Sequence, residues 1–291
     1  MLEFDQGPRE TRVIVISGGT DGMGRALALE RLERGDRIIA IGSNADKGRR
    51  VLAEAEQFGA GDRFEFIQAD LCSVAETRRA IHEIGERHEA VDALCLFANR
   101  QSPQRVVTAE GFERTFALYY LSRYLLSHEL APQLRRSPAP VIVNVAGVGM
   151  TKGAIHWDDL ELAHGYSTIT AQLQAGRAND LLGVAYAAQP DNPARYVLYH
   201  PGFTKSGDLS PLPAAARAFI RIAAALAARP VKRAVAPIHG FIDSPPSTPL
   251  TANDRGDQLP LSLPTLDPLD AERLAGVTRS LLTGRPSAAG H

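Results

Sequence analysis

The chain has 291 residues, with 32 Lys and Arg against 33 Asp and Glu. It is long enough for a full core in one large domain or two small ones, and its balanced charge calls for no nucleic-acid partner. Its only cysteines, Cys72 and Cys95, are too few for a disulfide framework or a four-ligand metal site, so no metal is expected. The first ten residues contain no apolar run of signal-peptide type. The most apolar helical stretch, 213–228, is interrupted by Arg217 and Arg221 and is too short to span a bilayer. A cytoplasmic protein without a membrane span is the expectation.

In chain order, short apolar runs fall at 12–17, 37–42, 63–67, 92–97, 141–146 and 195–200. They are rich in Val, Ile and Leu on successive residues, as in parallel strands buried on both faces. Helical stretches lie between them, at about 22–34, 45–58, 73–89, 109–130 and 166–189. This alternation predicts right-handed βαβ units and an α/β doubly wound parallel sheet with helices on both faces. Residues 1–243 are read as that domain. Residues 244–291 are read as part of the same domain: a proline-rich covering loop over 244–266, then a helix. The helix begins at "DPLDAERL", with Asp267 as cap and Pro268 in first position. Residues after about 284 are expected to fray.

The run "SGGTDGMGRALA" (17–28) follows the first strand and opens the first helix. Gly18, Gly22 and Gly24 let the backbone turn sharply and approach a pyrophosphate, and the helix N-terminus supplies free N–H groups to it. Asp21 beside such a site would repel phosphate unless it turns away to cap the helix, which is the reading adopted.

The loop resembles that of the short-chain dehydrogenases/reductases, and the likeness continues over roughly 11–206. "QADLCS" (68–73) places Asp70 and Leu71 where that family contacts adenine. "TAEGFERTFALYYLSRYLLS" (108–127) is similar to the helix after strand four in the retinol-dehydrogenase and protochlorophyllide-reductase branch. "VIVNVAGVG" (141–149), "HWDDLELAHGYSTITAQLQAGRAND" (156–180) and "HPGFTKS" (200–206) resemble its fifth strand, its active-site helix with the preceding segment, and its P-G segment. The resemblance implies a single-domain Rossmann fold and a nicotinamide dinucleotide held by Ser17, Gly18, Thr20, Gly22, Met23, Gly24, Ser43, Asn44, Asp70, Leu71, Ala98, Asn99, Pro201 and Gly202.

The family's catalytic Asn, Ser, Tyr and Lys are all replaced. The aligned positions hold Tyr119, Gly147, Gln172 and Gly176. No shift of register restores the pair, because Ser43, Val148, Pro201 and Ala228 stand four residues before the four lysines. Tyr166 has Thr170 at the lysine spacing. Gln172 donates hydrogen bonds but cannot titrate, and Gly176 carries no charge. Tyr119 is the first candidate for a substituted acid, against a packing role beside Tyr120 and Tyr124; Gln172 is kept as a catalytic position for the hydrogen bonds it can donate. Arg100 and Gln101 could reach substrate, and Lys152 and His156 could line the rim, but solvated positions are the plainer reading. Arg177 points away from the Gln172–Gly176 face. His200 and Cys95 are read as structural.

After strand two, Ser43 and Asn44 offer donors, Lys47 is near, and no acid repels a 2′-phosphate, so NADP(H) is favoured over NAD(H). Three functions remain open. The first is a divergent NAD(P)-dependent oxidoreductase on a small molecule. The second is a non-redox enzyme (cyclase, dehydratase or isomerase) on the same scaffold. The third is a catalytically inactive NAD(P)-binding regulator. A homo-oligomer is compatible with each.

Overall fold

In a computed structural model, residues 11–202 and 230–284 are described. The six expected strands form as β1 (Val13–Ser17), β2 (Arg37–Gly42), β3 (Phe64–Gln68), β4 (Ala93–Leu96), β5 (Val141–Val145) and β6 (Arg195–His200). They pair in parallel, in the order β3-β2-β1-β4-β5-β6. Side chains alternate between faces. Ile14 and Ile16 join one core with Val141, Val143 and Val197, whereas Val15 joins the other with Leu94, Leu96 and Ile142. Both faces are therefore dry, which is why the strands read as continuous apolar runs.

The helices α1 (Gly22–Glu33) and α2 (Ala45–Gln57) cover the first face; α3 (Val74–Arg87) covers the second. Asp21, Asn44 and Ser73 cap them, each accepting an N–H of the first turn. The long helix α5 (Thr168–Ala187) is capped by Ser167 and lies on the second face.

The helix expected over 109–130 starts later. Gly111 turns the chain at φ +84, Val107 bridges Glu113, and the Glu113 carboxylate caps Thr115 and Phe116 at 2.8 and 2.7 Å. Helix α4 then runs over 114–129, as Arg114–Phe116, a π-helical turn Ala117–Leu121, and Ser122–Glu129.

The covering loop expected over 244–266 is corrected: it contains β7 (Leu250–Asp254), parallel to β6, and β8 (Asp257–Leu259), antiparallel to β7. A helix that the sequence reading did not name, α6 (Val231–Asp243), covers the first face. The last helix, α7 (Pro268–Gly284), starts as expected, with Asp267 accepting from Leu269 and Asp270 at 2.9 Å each. The stretch 213–228 and the end beyond 284 lie outside the described residues. No described helix is long and apolar enough to cross a membrane.

Buried Arg31 ties the first face together. It donates to Asp36 at 2.6 Å and to Asp243 at 2.8 Å, fastening α1 to the turn before β2 and to α6.

Candidate active site

The strand order reverses between β1 and β4, which opens a crevice at their C-terminal ends. The turn from β1 into α1 lines it. Gly18 and Gly22 hold φ of +72 and +51, the left-handed region. A Cβ on Gly18 would lie 3.0 Å from Ala98 N, and one on Gly24 would lie 2.3 Å from the Gly18 carbonyl. The first glycine thus nests the turn against the chain after β4, and the third lets α1 close on the turn. Bare backbone before a helix N-terminus fits a pyrophosphate.

Ser17 and Thr20 are buried, and Ser17 Oγ accepts from Ala98 N at 3.4 Å. Met23 is half-buried against the first-face core. Asp21 accepts from Gly22 N at 2.8 Å and pairs with Lys47, so its charge is directed into the cap and compensated.

The outer part of the crevice is built from strand ends. Ser43 and Asn44 are exposed after β2. Asn44 is committed to capping, accepting from Lys47 N at 3.0 Å. The Asp70 carboxylate accepts from Cys72 N at 3.0 Å, and Asp70 N donates to Glu76 at 2.7 Å, so Asp70 is held at the end of β3 with Leu71 buried beside it. Pro201 is buried, and Gly202 follows at φ +78.

The remaining candidates converge where α4, β5 and α5 meet. Asn99 Nδ2 donates to Gln172 Oε1 at 2.9 Å, and Gln172 Nε2 returns a bond to Asn99 Oδ1 at 3.2 Å. This closed amide pair anchors the turn after β4 to α5. A Cβ on Gly147 or Gly176 would meet nothing within 4 Å, so the space beside both glycines is open. Tyr119 sits in the π turn of α4, a distortion that gathers at functional sites. It packs with Ala146 and Ala175, the residues just before the two glycines. Burial holds its phenol above the usual range; Arg123 draws it down and Asp180 pushes it up.

Two charged residues that the sequence reading did not single out frame Tyr119. Arg123 is fully buried, with its Cζ 4.6 Å from the Tyr119 ring centroid. It donates to Asn144 Oδ1, to Val145 O at 2.9 Å and to Ala98 O at 3.1 Å, and burial lowers its pKa to about 10. Asn144 donates in turn to Asn179 at 3.0 Å, and Asn179 to the Tyr119 carbonyl at 2.7 Å, which fixes the cluster. Asp180, 1% exposed, follows Gln172 and Gly176 at helical i+4 spacing. Its Oδ2 accepts from Gly149 N at 3.3 Å, and its Oδ1 has no hydrogen-bond partner among the described residues. Burial raises its pKa to about 7, against the Gly149 amide and Arg177. The signal for both was a lone charge among apolar neighbours: Leu121, Leu125 and Leu126 around Arg123, and Leu181 and Leu182 beside Asp180.

Other candidates lie off this cluster. Lys152 and His156 are exposed, and Arg177 donates to Met150 O at 3.0 Å. His200 pairs with Asp254 at 3.0 Å, and Cys95 is fully buried. Arg100 and Gln101 line a pocket of about 150 Å³ with Ser102, Pro103 and Arg114.

Comparison with known proteins agrees with this geometry. Residues 12–158 match the family model of short chain dehydrogenases. The human polyprenol dehydrogenase is 28% identical over 172 residues, 58% of this chain and 52% of that protein. Human retinol dehydrogenase 13 is 27% identical over 165 residues, 56% of this chain and 50% of that protein. The chain thus spans about half the length of these curated relatives. A short chain dehydrogenase from Escherichia coli CFT073, crystallised with NADPH, superposes with a TM-score of 0.64 at 19% identity, covering 84% of this chain and 97% of that one. One from Shigella flexneri gives 0.62 at 19%, covering 84% and 90%. These likenesses carry the Rossmann fold.

Proposed function

The chain belongs to the short-chain dehydrogenase/reductase family, and from that premise we propose an NADP(H)-dependent oxidoreductase acting on a small molecule through a substituted acid–base group. The glycine cradle carries this reading: Gly18 and Gly24 stand where a Cβ would strike backbone at 3.0 and 2.3 Å. Ser17, Gly18, Thr20, Gly22, Met23 and Gly24 hold the pyrophosphate end. Asp70 and Leu71 hold the adenine, Ala98 and Asn99 the adjoining ribose, and Pro201 and Gly202 the nicotinamide side. When bound, the dinucleotide supplies or accepts a hydride. Exposed Ser43 favours the 2′-phosphate because no acid follows β2. Lys47 helps less than its position suggests, since Asp21 already engages it.

Gln172 orients the site through Asn99 and holds no exchangeable charge. Tyr119 is the proton donor: its side chain packs on Ala146 and Ala175, the residues before Gly147 and Gly176, and its ring lies over a buried cation. General acid–base help of this kind is worth about 10²–10⁴ in rate. The names of the polyprenol and retinol dehydrogenases support alcohol–carbonyl exchange as the reaction type. The test is calorimetric titration with NADPH and NADH. Tighter binding of NADPH supports the reading, and Ser43→Asp should reverse the order by charge repulsion. No binding of either at millimolar concentration overturns it.

A further inference from the structure

Helix α5 places three residues on one face: Gln172, Gly176 and Asp180. The first two have lost the ability to exchange a proton. The third is a carboxyl, buried where an unneeded charge would be costly, and one of its oxygens is left without a partner among the described residues. Above it the space at Gly176 and Gly147 is open, and both glycines are partly exposed. Tyr119 of α4 packs on Ala175 of α5 and accepts at its carbonyl from Asn179, the residue before Asp180, at 2.7 Å, and the Asp180 charge pushes its pKa up. We propose that Asp180 is the proton store behind Tyr119, acting through the phenol without touching substrate.

The proton balance is simple. During carbonyl reduction the carbonyl carbon receives the hydride of the reduced nicotinamide, and the carbonyl oxygen takes the Tyr119 proton. The phenolate then regains its proton from the Asp180 carboxylic acid through a water in the open space at Gly176, since the two groups are not hydrogen-bonded to each other. The carboxylate that remains is reprotonated from water through the gap at Gly147 and Gly176. The groups around Asp180 allow this. On its own helix Arg177 donates to Met150 O, and its cation draws the Asp180 pKa down against the larger effect of burial. The loop after β5 offers only the Gly149 N–H. From α4 come Tyr119 and, across its ring, Arg123, whose cation favours the transient phenolate. From the β8 side Leu259 and Leu263 close over Gly149 without charge. A carboxyl whose pKa has risen to about 7 is available as acid near neutrality.

The inference rests on the reading of Tyr119 as proton donor, but its test needs neither cofactor nor substrate, so the two fail separately. The protein is labelled with fluorotyrosine, and the Tyr119 fluorine resonance is identified as the one absent in Tyr119→Phe. Its shift is followed against pH. An inflection near pH 7 that vanishes in Asp180→Asn and returns in Asp180→Glu is expected. A flat response through the neutral range, or an inflection that survives in Asp180→Asn, overturns the proposal. If Asp180→Asn fails to fold, Gly176→Lys serves instead, because its side chain enters open space one turn from Asp180. Its cation should move the inflection down by about 1–3 pH units; an unmoved inflection overturns the proposal.

Discussion

Two neighbouring parts of one sheet edge have diverged differently. The crossover from β1 to α1 keeps every glycine its geometry demands: Gly18 and Gly22 at positive φ, Gly24 against the Gly18 carbonyl. The junction of α4, β5 and α5 leaves the space beside Gly147 and Gly176 open. The two buried arginines repeat the contrast. Arg31, under the first-face helices, is matched by Asp36 and Asp243. Arg123, under the junction, has only neutral oxygens around it among the described residues. A structural charge is neutralised; a charge left uncompensated in a crevice marks a site where chemistry can use it.

The sharpest way to break this comparison is in the cradle. Gly22→Val puts a β-branched residue at φ +51 beneath the pyrophosphate. NADPH affinity should fall by about 100-fold or more by calorimetry, an order-of-magnitude expectation for losing the close backbone approach. Next come the arginines. Arg31→Met leaves buried Asp36 unpaired and should cost about 3–5 kcal/mol in denaturant unfolding. Arg123→Met strips only neutral acceptors and should cost less, about 1–3 kcal/mol. Equal losses would erase the distinction between them. Tyr119→Phe should then cut turnover about tenfold or more on any carbonyl the protein reduces, with unfolding nearly unchanged. A packing role predicts the reverse: lower stability and unchanged turnover per folded molecule.

A pH-dependent effect follows from Asp180. Its folded pKa, about 7, lies above the ordinary carboxyl value of 3.8. The folded state therefore holds the proton more tightly than the unfolded chain does. Stability from this group is full below the unfolded value and declines as pH rises from about 4 to 7, by at most roughly 1.4 kcal/mol per pH unit. Asp180→Asn should flatten that decline and be the more stable protein above pH 7. Unfolding curves across this range, wild type against variant, give the slope.

Much of the fold could be read because local and global signals agree. The six inner strands are apolar on successive residues, and each helix after the first three strands has a polar cap to mark its start. The last third was harder for identifiable reasons. In β7, Leu-Thr-Ala-Asn-Asp, only Leu250 and Ala252 are apolar, and Pro245, Pro246 and Pro249 precede it, so the strand imitates a loop. In α6, Pro237 lies inside the helix and Pro230 just before it, which read as breakers. Within the site, Gly18, Gly22 and Gly24 were legible because their spacing is set by backbone geometry. Arg123 and Asp180 were not. Their meaning depends on burial and on what faces them across the α4–α5 contact; the leucines nearby hint that these charges are buried, but the sequence does not reveal what they face.

The proposed function requires that the glycine cradle holds a reduced nicotinamide and that the proton comes from neither Gln172 nor Gly176. The most direct measurement is to saturate the wild-type protein with NADPH, confirm binding by cofactor fluorescence, and follow the reduced-nicotinamide absorbance with a panel of simple aldehydes and ketones. Bound cofactor with at most marginal oxidation is expected, because no lysine lowers the pKa of the Tyr119 phenol, which burial holds above the usual range. Brisk reduction of such simple carbonyls, unchanged in Tyr119→Phe, would contradict the placement of the proton donor at Tyr119.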